Sequence, residues 1–257
     1  MASYELATSD TDAIVDYCNT WPNAVVWSLK KWTDAKADLL KRIRNRKIHY
    51  SCGAHDLYNP HCDVSLVDCE QRIYHKSMRT WIKGKDPDKW PLLTAERKYD
   101  YCVIGKPKAG KNQGWFINEL ADNLAEPRSF LWIGGSKEVI DIKISQHSCL
   151  TIPYVATDCL PALFAQCKVG AVFTTYEDEG FPQSYLEMAM CGLPVVYHES
   201  APWSDCYGSP NISVRANSKN VVALAETLRR EANHTACRSD AVNQFSIEKS
   251  IDSILSA

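Results

Sequence analysis

The stretch Val172 to Tyr197, VFTTYEDEGFPQSYLEMAMCGLPVVY, carries the reading of the fold. It opens as an apolar strand and passes through an acidic turn, Glu177-Asp178-Glu179-Gly180. After Phe181-Pro182 it becomes amphipathic, then meets Cys191-Gly192-Leu193-Pro194 and returns to an apolar run. Strand, helix, strand in this compass predicts a βαβ unit with parallel strands. Pro182 suits the first turn of the helix, where a missing N–H costs nothing. The free N–H groups of that turn, near 181–184, form an anion site reinforced by the helix dipole. Glu187 follows on the same helix and can accept hydrogen bonds from a vicinal diol such as a ribose. Glu179 stands just before the helix, so two carboxylates flank one phosphate-binding helix end.

Working outward, short apolar runs alternate with helix-length segments along the chain. Strands are expected at 24–29, 47–52, 63–67, 99–104, 129–133, 150–154, 170–174 and 193–197. Helices are expected at 33–44, 115–124, 160–167, 183–190 and 220–231. The fold class is therefore α/β. A boundary is expected in GKDPDKWPLLTAERK, residues 84–98, where two prolines and mixed charge interrupt the apolar pattern. Residues 1–98 carry 16 Lys and Arg against 13 Asp and Glu, and residues 99–257 carry 13 against 18. The second part is acidic, yet Lys106, Lys108 and Lys111 crowd into one loop directly after a strand. Like charges this close favour a bound anion, although a solvated loop is the alternative.

That loop also fits the phosphate-loop pattern GxxxxGK, as Gly105 to Lys111 between a strand and a helix. The next residue is Asn112, where that motif needs a Ser or Thr hydroxyl for magnesium, and no later strand ends in a clear metal-binding Asp. A phosphate-loop NTPase is accordingly the lesser reading.

The 257 residues are 45% apolar and 23% charged, with a net charge of -2. This excludes a mainly disordered chain and argues against a nucleic-acid-coating protein. No apolar run approaches the ~18 residues that suggest a membrane span, and the Met1 start lacks the pattern of a secretory signal. A soluble, cytoplasmic protein is expected. The eleven cysteines include no CxxC pair and are read as free thiols. Cys52, His55, His61, Cys62 and Cys69 have zinc-ligand chemistry without zinc-site spacing. The sequons at Asn211 and Asn233 carry weight only in a secreted chain.

Taken together, Glu179, Gly180, Phe181, Glu187 and Cys191 to Val195 resemble the Glu-x7-Glu signature of GT-B retaining glycosyltransferases, in particular glycosyltransferase family 4. Lys106 and Lys111-Asn112 stand where that family places a basic residue and a lysine after the first strand of its C-terminal domain. Leu131 to Gly135, LWIGG, is similar to the family's next strand and glycine turn. Asn211 to Arg230 and FSIEKSIDSIL, residues 245–255, are similar to its ending. The resemblance covers about residues 97–257.

It implies a GT-B-like pair of Rossmann-like domains with parallel sheets. Residues 1–96 would be a reduced acceptor-side domain of about three strands, and residues 97–257 the nucleotide-sugar donor domain. The implied activity is retaining transfer of a hexosyl or 6-deoxyhexosyl group from a nucleotide sugar, UDP-linked first and GDP-linked next, to a glycan or other hydroxyl. Lys106, Lys111 and Glu179 take the catalytic roles. Glu187 holds the ribose, and Gly105, Gly180, Phe181, Pro182, Gln183, Ser184, Tyr154 and Val155 bind the donor, Tyr154 by stacking on the base. His55, beside Asp56 after a strand, is a possible sugar contact from the N-terminal domain. No cofactor and no metal are required, and the partners are the nucleotide sugar, a carbohydrate acceptor and other domains of a longer polypeptide. KRIRNRK at 41–47 reads as a solvated helix end, with an anionic acceptor or another domain as the alternative. A nucleotide-sugar hydrolase or epimerase, and a non-catalytic nucleotide-sugar-binding domain, remain the competing functions.

Overall fold

The computed structural model describes residues 11–21, 25–29, 34–50, 58–67, 75–81, 84–106, 110–135, 147–174, 181–200 and 209–255. The chain forms two compact units, residues 1–81 and 82–256. The first contains α1 (Thr11–Thr20), β1 (Val26–Leu29), α2 (Asp34–Arg42), β2 (Lys47–Tyr50), β3 (Val64–Val67) and β4 (Met78–Thr80). Its strands pair in the order β1-β2-β3-β4, all parallel. Val15 of α1, Leu40 of α2, Ile43 and Cys62 form a small apolar cluster beside the sheet. Three strands are expected here from the sequence; the fourth, β4, is only three residues long, and its exposed Arg79 interrupts any apolar pattern. Within 41–47, Ile43 is buried and Lys47 Nζ donates to the Ile43 and Asn45 carbonyls. That stretch closes α2, as the default reading of its charges holds.

The second unit contains β5 (Tyr99–Ile104), α3 (Gln113–Asn123), β6 (Ser129–Ile133), β7 (Ser148–Ile152), α4 (Leu160–Phe164), β8 (Cys167–Val172), α5 (Gln183–Met190), β9 (Val195–His198), β10 (Ser213–Ala216), α6 (Val221–Glu231), α7 (His234–Phe245) and α8 (Ile247–Leu255). All six strands are parallel, in the order β10-β9-β8-β5-β6-β7. Counted within this unit, that is the doubly wound order 3-2-1-4-5-6. The inner strands are apolar on both faces, as a parallel sheet covered by helices requires. Tyr101, Phe116, Phe130, Trp132 and Phe173 are all 1% exposed or less and make an aromatic core under α3 and α6.

Two close approaches set the helix positions. A Cβ on Gly170 of β8 would lie 2.3 Å from Met188 Sδ, so α5 sits directly on the strand there. Gly192, at φ +73, ends α5 in the left-handed conformation. The Leu193 N–H donates to Met188 C=O and the Gly192 N–H to Ala189 C=O, both at 2.9 Å. This is the paired bonding of a glycine-terminated helix, and it explains the Gly-Leu-Pro punctuation physically.

A charged cluster lies at the N-terminal ends of the strands. Glu226 of α6 receives Arg128 at 2.7 Å, Arg229 at 2.9 Å and the Tyr101 hydroxyl at 2.5 Å. Burial alone would raise the Glu226 carboxyl, but hydrogen bonds from Arg128, Arg229 and Tyr101 outweigh it and hold it at about 2. Asp100 of β5 and Lys168 of β8 pair beside it at 2.8 Å.

Gly84 and Lys85 run along the α7–α8 junction. The Lys85 N–H donates to Phe245 C=O at 2.9 Å, and the Ile247 N–H donates to Lys85 C=O at 3.0 Å. A Cβ on Gly84 would lie 2.5 Å from Ser246 O and 2.6 Å from Ile247 Cα, which are backbone atoms that cannot swing aside. Gly84→Ala is expected to destabilise the unit by about 1–3 kcal/mol, read as a lowered midpoint in urea unfolding.

Eight cysteines are free thiols among the described residues, and five of them are buried. Burial pushes the Cys191 and Cys237 thiols up to about 12. Cys52, His55 and Cys69 lie outside the described residues. Among the described residues, no helix is long and apolar enough to cross a membrane.

Candidate active site

In a doubly wound sheet, ligands bind beyond the C-terminal strand ends where the strand order reverses. Here that point lies between β5 and β8. The chain leaves it after β5 at Gly105 and Lys106 and after β8 at Phe173 and Thr174; Lys108 and the acidic residues 177–179 lie outside the described residues. The Asn112 side chain bridges the two exits, its Nδ2 donating to the Phe173 carbonyl at 3.2 Å. The start of α3, next to Lys111, is thereby tied to the end of β8.

The lysine loop has a backbone that few side chains allow. Gly105 lies at φ +122 and Gly110 at φ +83, and Asn112 is left-handed at φ 55. A side chain on Gly105 would meet Gln113 Nε2 at 2.8 Å. Next to it, a Cβ on Gly134 would come within 3.1 Å of the Gly105 carbonyl carbon. The indole N–H of Trp132 donates to Gly105 C=O at 3.1 Å, and the Gly105 N–H donates to Ile133 C=O at 2.9 Å. The ends of β5 and β6 thus form a low, fixed floor. Lys106 is exposed on it and Lys111 is half-buried.

Across the switch point, α5 begins at Gln183. Pro182 stands one residue before the helix, at φ -66 and ψ 125, instead of inside its first turn. Its carbonyl accepts from the Tyr185 N–H at 3.1 Å, so the proline still starts the helix. Neither α3 nor α5 carries a side-chain cap. Two helix N-termini whose N-cap residues, among the described residues, make no side-chain capping bond therefore lie at the switch point, an arrangement suited to an anion. Gln183 is exposed and Ser184 half-buried.

Phe181 is buried, its ring packed on Tyr185 at 5.2 Å and Phe245 at 6.0 Å. It anchors the start of α5, which leaves its backbone for any ligand contact. Glu187 is mostly buried, and Lys85 Nζ reaches its Oε1 at 2.8 Å. The sequence reading missed Lys85, which lies 102 residues away in a segment with no marked pattern. Tyr154 follows β7 and is 82% exposed, with Val155 half-buried beside it. β7 lies two strands from β5, about 10 Å across the sheet. Glu179, Gly180 and His55 lie outside the described residues. Among the described residues, no group of three or more His, Cys, Asp or Glu side chains could hold a metal ion.

The solved structure of HepE from Anabaena in complex with UDP shares this architecture, with a TM-score of 0.70 at 13% identity, over 96% of this chain and 80% of that one. A glycosyltransferase from Rickettsia africae ESF-5 is similar with a TM-score of 0.73 at 11% identity, over 99% and 83%. Sucrose-phosphate synthase from Thermosynechococcus elongatus is similar with a TM-score of 0.68 at 12% identity, over 94% and 75%. No curated protein matches the sequence. The likeness establishes the α/β, parallel-sheet architecture of GT-B glycosyltransferases. The family model described as glycosyl transferases group 1 matches residues 98–233, more than half of the chain and both switch-point loops. The chain belongs to the glycosyl transferases group 1 family.

Proposed function

We propose that the protein is a retaining, metal-independent glycosyltransferase that moves a hexosyl or 6-deoxyhexosyl group from a nucleotide sugar to a glycan or other hydroxyl. The observation that carries this reading is the Asn112–Phe173 bond, which holds the start of α3, next to Lys111, against the end of β8 at the switch point. Departure of the nucleotide builds negative charge on the β-phosphate. Lys106, Lys111 and the first turn of α5 stabilise that charge in place of a metal ion. Glu187 accepts from the ribose, Glu179 orients hydroxyls of the donor sugar, and Gly105 and Gly180 let the backbone approach the diphosphate. Phe181, Pro182, Gln183 and Ser184 present main-chain groups to the diphosphate. The exposed Tyr154 ring, with Val155, takes the base.

UDP is the first carrier to test, because HepE is seen with UDP and also with UDP-glucose. The acceptor attacks from the face the nucleotide leaves, and the departing phosphate takes the acceptor proton, so no protein base is assigned. His55 contacts the sugar from the first unit in this reading, and residues 1–96 serve the acceptor side. The protein acts in the cytoplasm, alone or as part of a longer polypeptide.

The test is turnover of UDP- and GDP-sugars with and without glycan acceptors, with the anomeric configuration of the product read by NMR. Acceptor-dependent nucleotide release with retained configuration, unchanged by a chelator, is expected. Release that ignores acceptors indicates a hydrolase, and binding without release indicates a non-catalytic domain.

A further inference from the structure

The Lys85 backbone is bonded on both sides to the α7–α8 junction. Its ammonium lies over the Trp90 ring, with Nζ 5.1 Å from the ring centroid. Nζ ends on Glu187 Oε1, with side-chain exposures of 15% and 14%. A free lysine loses rotamer entropy when it holds a carboxylate in one geometry. Here the backbone bridge and the Trp90 face restrict Lys85 in advance.

Two consequences reach Glu187. Lys85 takes one acceptor position on Oε1, which restrains the carboxylate plane and leaves Oε2 for a hydroxyl. Glu187 also lies four residues after Gln183, about 6 Å along the helix axis. At that range its uncompensated charge would weaken an anion at the first turn. We propose that Lys85 is a positioning residue for the nucleotide, orienting the Glu187 carboxylate toward the ribose and offsetting its charge beside the diphosphate. The inference rests on the ribose role given to Glu187 above.

The experiment titrates UDP and 2′,3′-dideoxy-UDP, and the matching guanosine pair, into the wild-type chain, Lys85→Met and Lys85→Arg. Methionine keeps an unbranched side chain of similar length without the charge, and melting curves verify folding. Wild type is expected to prefer the ribonucleotide by about tenfold, the scale of a hydrogen bond to a charged group. In Lys85→Met that ratio falls toward one and overall affinity drops, while Lys85→Arg keeps the ratio. A merely structural role would weaken both nucleotides equally and leave the ratio intact. An unchanged ratio in Lys85→Met overturns this inference alone, whereas a wild-type ratio near one overturns the ribose role of Glu187 together with it. A wild-type chain that binds neither UDP nor GDP overturns the function on which it rests.

Discussion

Replacing Lys111 by alanine is expected to lower kcat/KM for the sugar donor by about 10²–10³-fold, the loss seen when one charge-stabilising group is removed from a transition state. The loop geometry supports so large an effect. Lys111 is framed by Gly110 at φ +83 and Asn112 at φ 55, both left-handed. Asn112 is in turn held to the Phe173 carbonyl at the end of β8. The residue carrying the ammonium is therefore set between two fixed left-handed positions, one of them bonded to β8. Lys111 is only half-buried and lies outside the aromatic core, so the melting temperature should barely move. Lys106→Ala should act in the same direction, and the double variant should lose less than the product of the two, because both lysines act on one phosphate. Full activity in Lys111→Ala would remove the mechanism.

Glu226→Ala is expected to cost about 3 kcal/mol of stability, the low end for breaking a buried ion pair. It removes the carboxylate shared by two largely buried guanidinium groups and leaves Arg128 only Glu126 and Arg229 only Asp100 as carboxylate partners among the described residues. Arg128 and Arg229 have side-chain exposures of only 9% and 17%. The pH dependence gives an independent sign. Glu226 is held at about 2 in the folded protein, below the ordinary glutamate value of about 4.3 in an unfolded chain. Its contribution is thus fully present above about pH 4.3 and is lost as the pH falls through about 2. Urea unfolding at pH 7 should show the full gap between wild type and variant, and the gap should narrow toward pH 3. A gap that widens in acid would contradict the assignment. Donor affinity should change little, because the cluster sits at the strand ends opposite the switch point.

The parts of the fold legible in the sequence are those where one physical signal dominates. β5 at 99–104, β6 at 129–133 and α5 at 183–190 lie where expected, since each is a sharp apolar run or is bounded by Pro and Gly. β7 and β8 begin two and three residues earlier than expected, because the polar Ser148 and Lys168 interrupt the apolar runs at their starts. The edge strand β10, Ser213–Ala216, pairs only with β9 and carries Arg215, so it offers no alternation to detect. Helix α7 buries Cys237, Ala241 and Phe245. Two of these are small, which hides a correctly spaced apolar stripe.

The site divides in the same way. The lysine loop, the helix start and Glu187 are visible as local patterns, whereas two contacts that organise them are not. Asn112 reaches Phe173, 61 residues away, and Lys85 reaches Glu187, 102 residues away. Such pairs depend on the strand order of the sheet, which local periodicity does not encode. Pro182 shows the limit of resolution: its chemistry marks the helix start, but only the backbone angles place it one residue outside.

Hydrogen exchange with and without a saturating nucleotide sugar locates the ligand directly. Slower exchange is expected in peptides covering 104–114 and 181–187 together, with little change in the Glu226 cluster at the other end of the strands. Protection confined to other parts of the sheet, or present in the lysine loop without the start of α5, would contradict a nucleotide bound across the β5–β8 switch point.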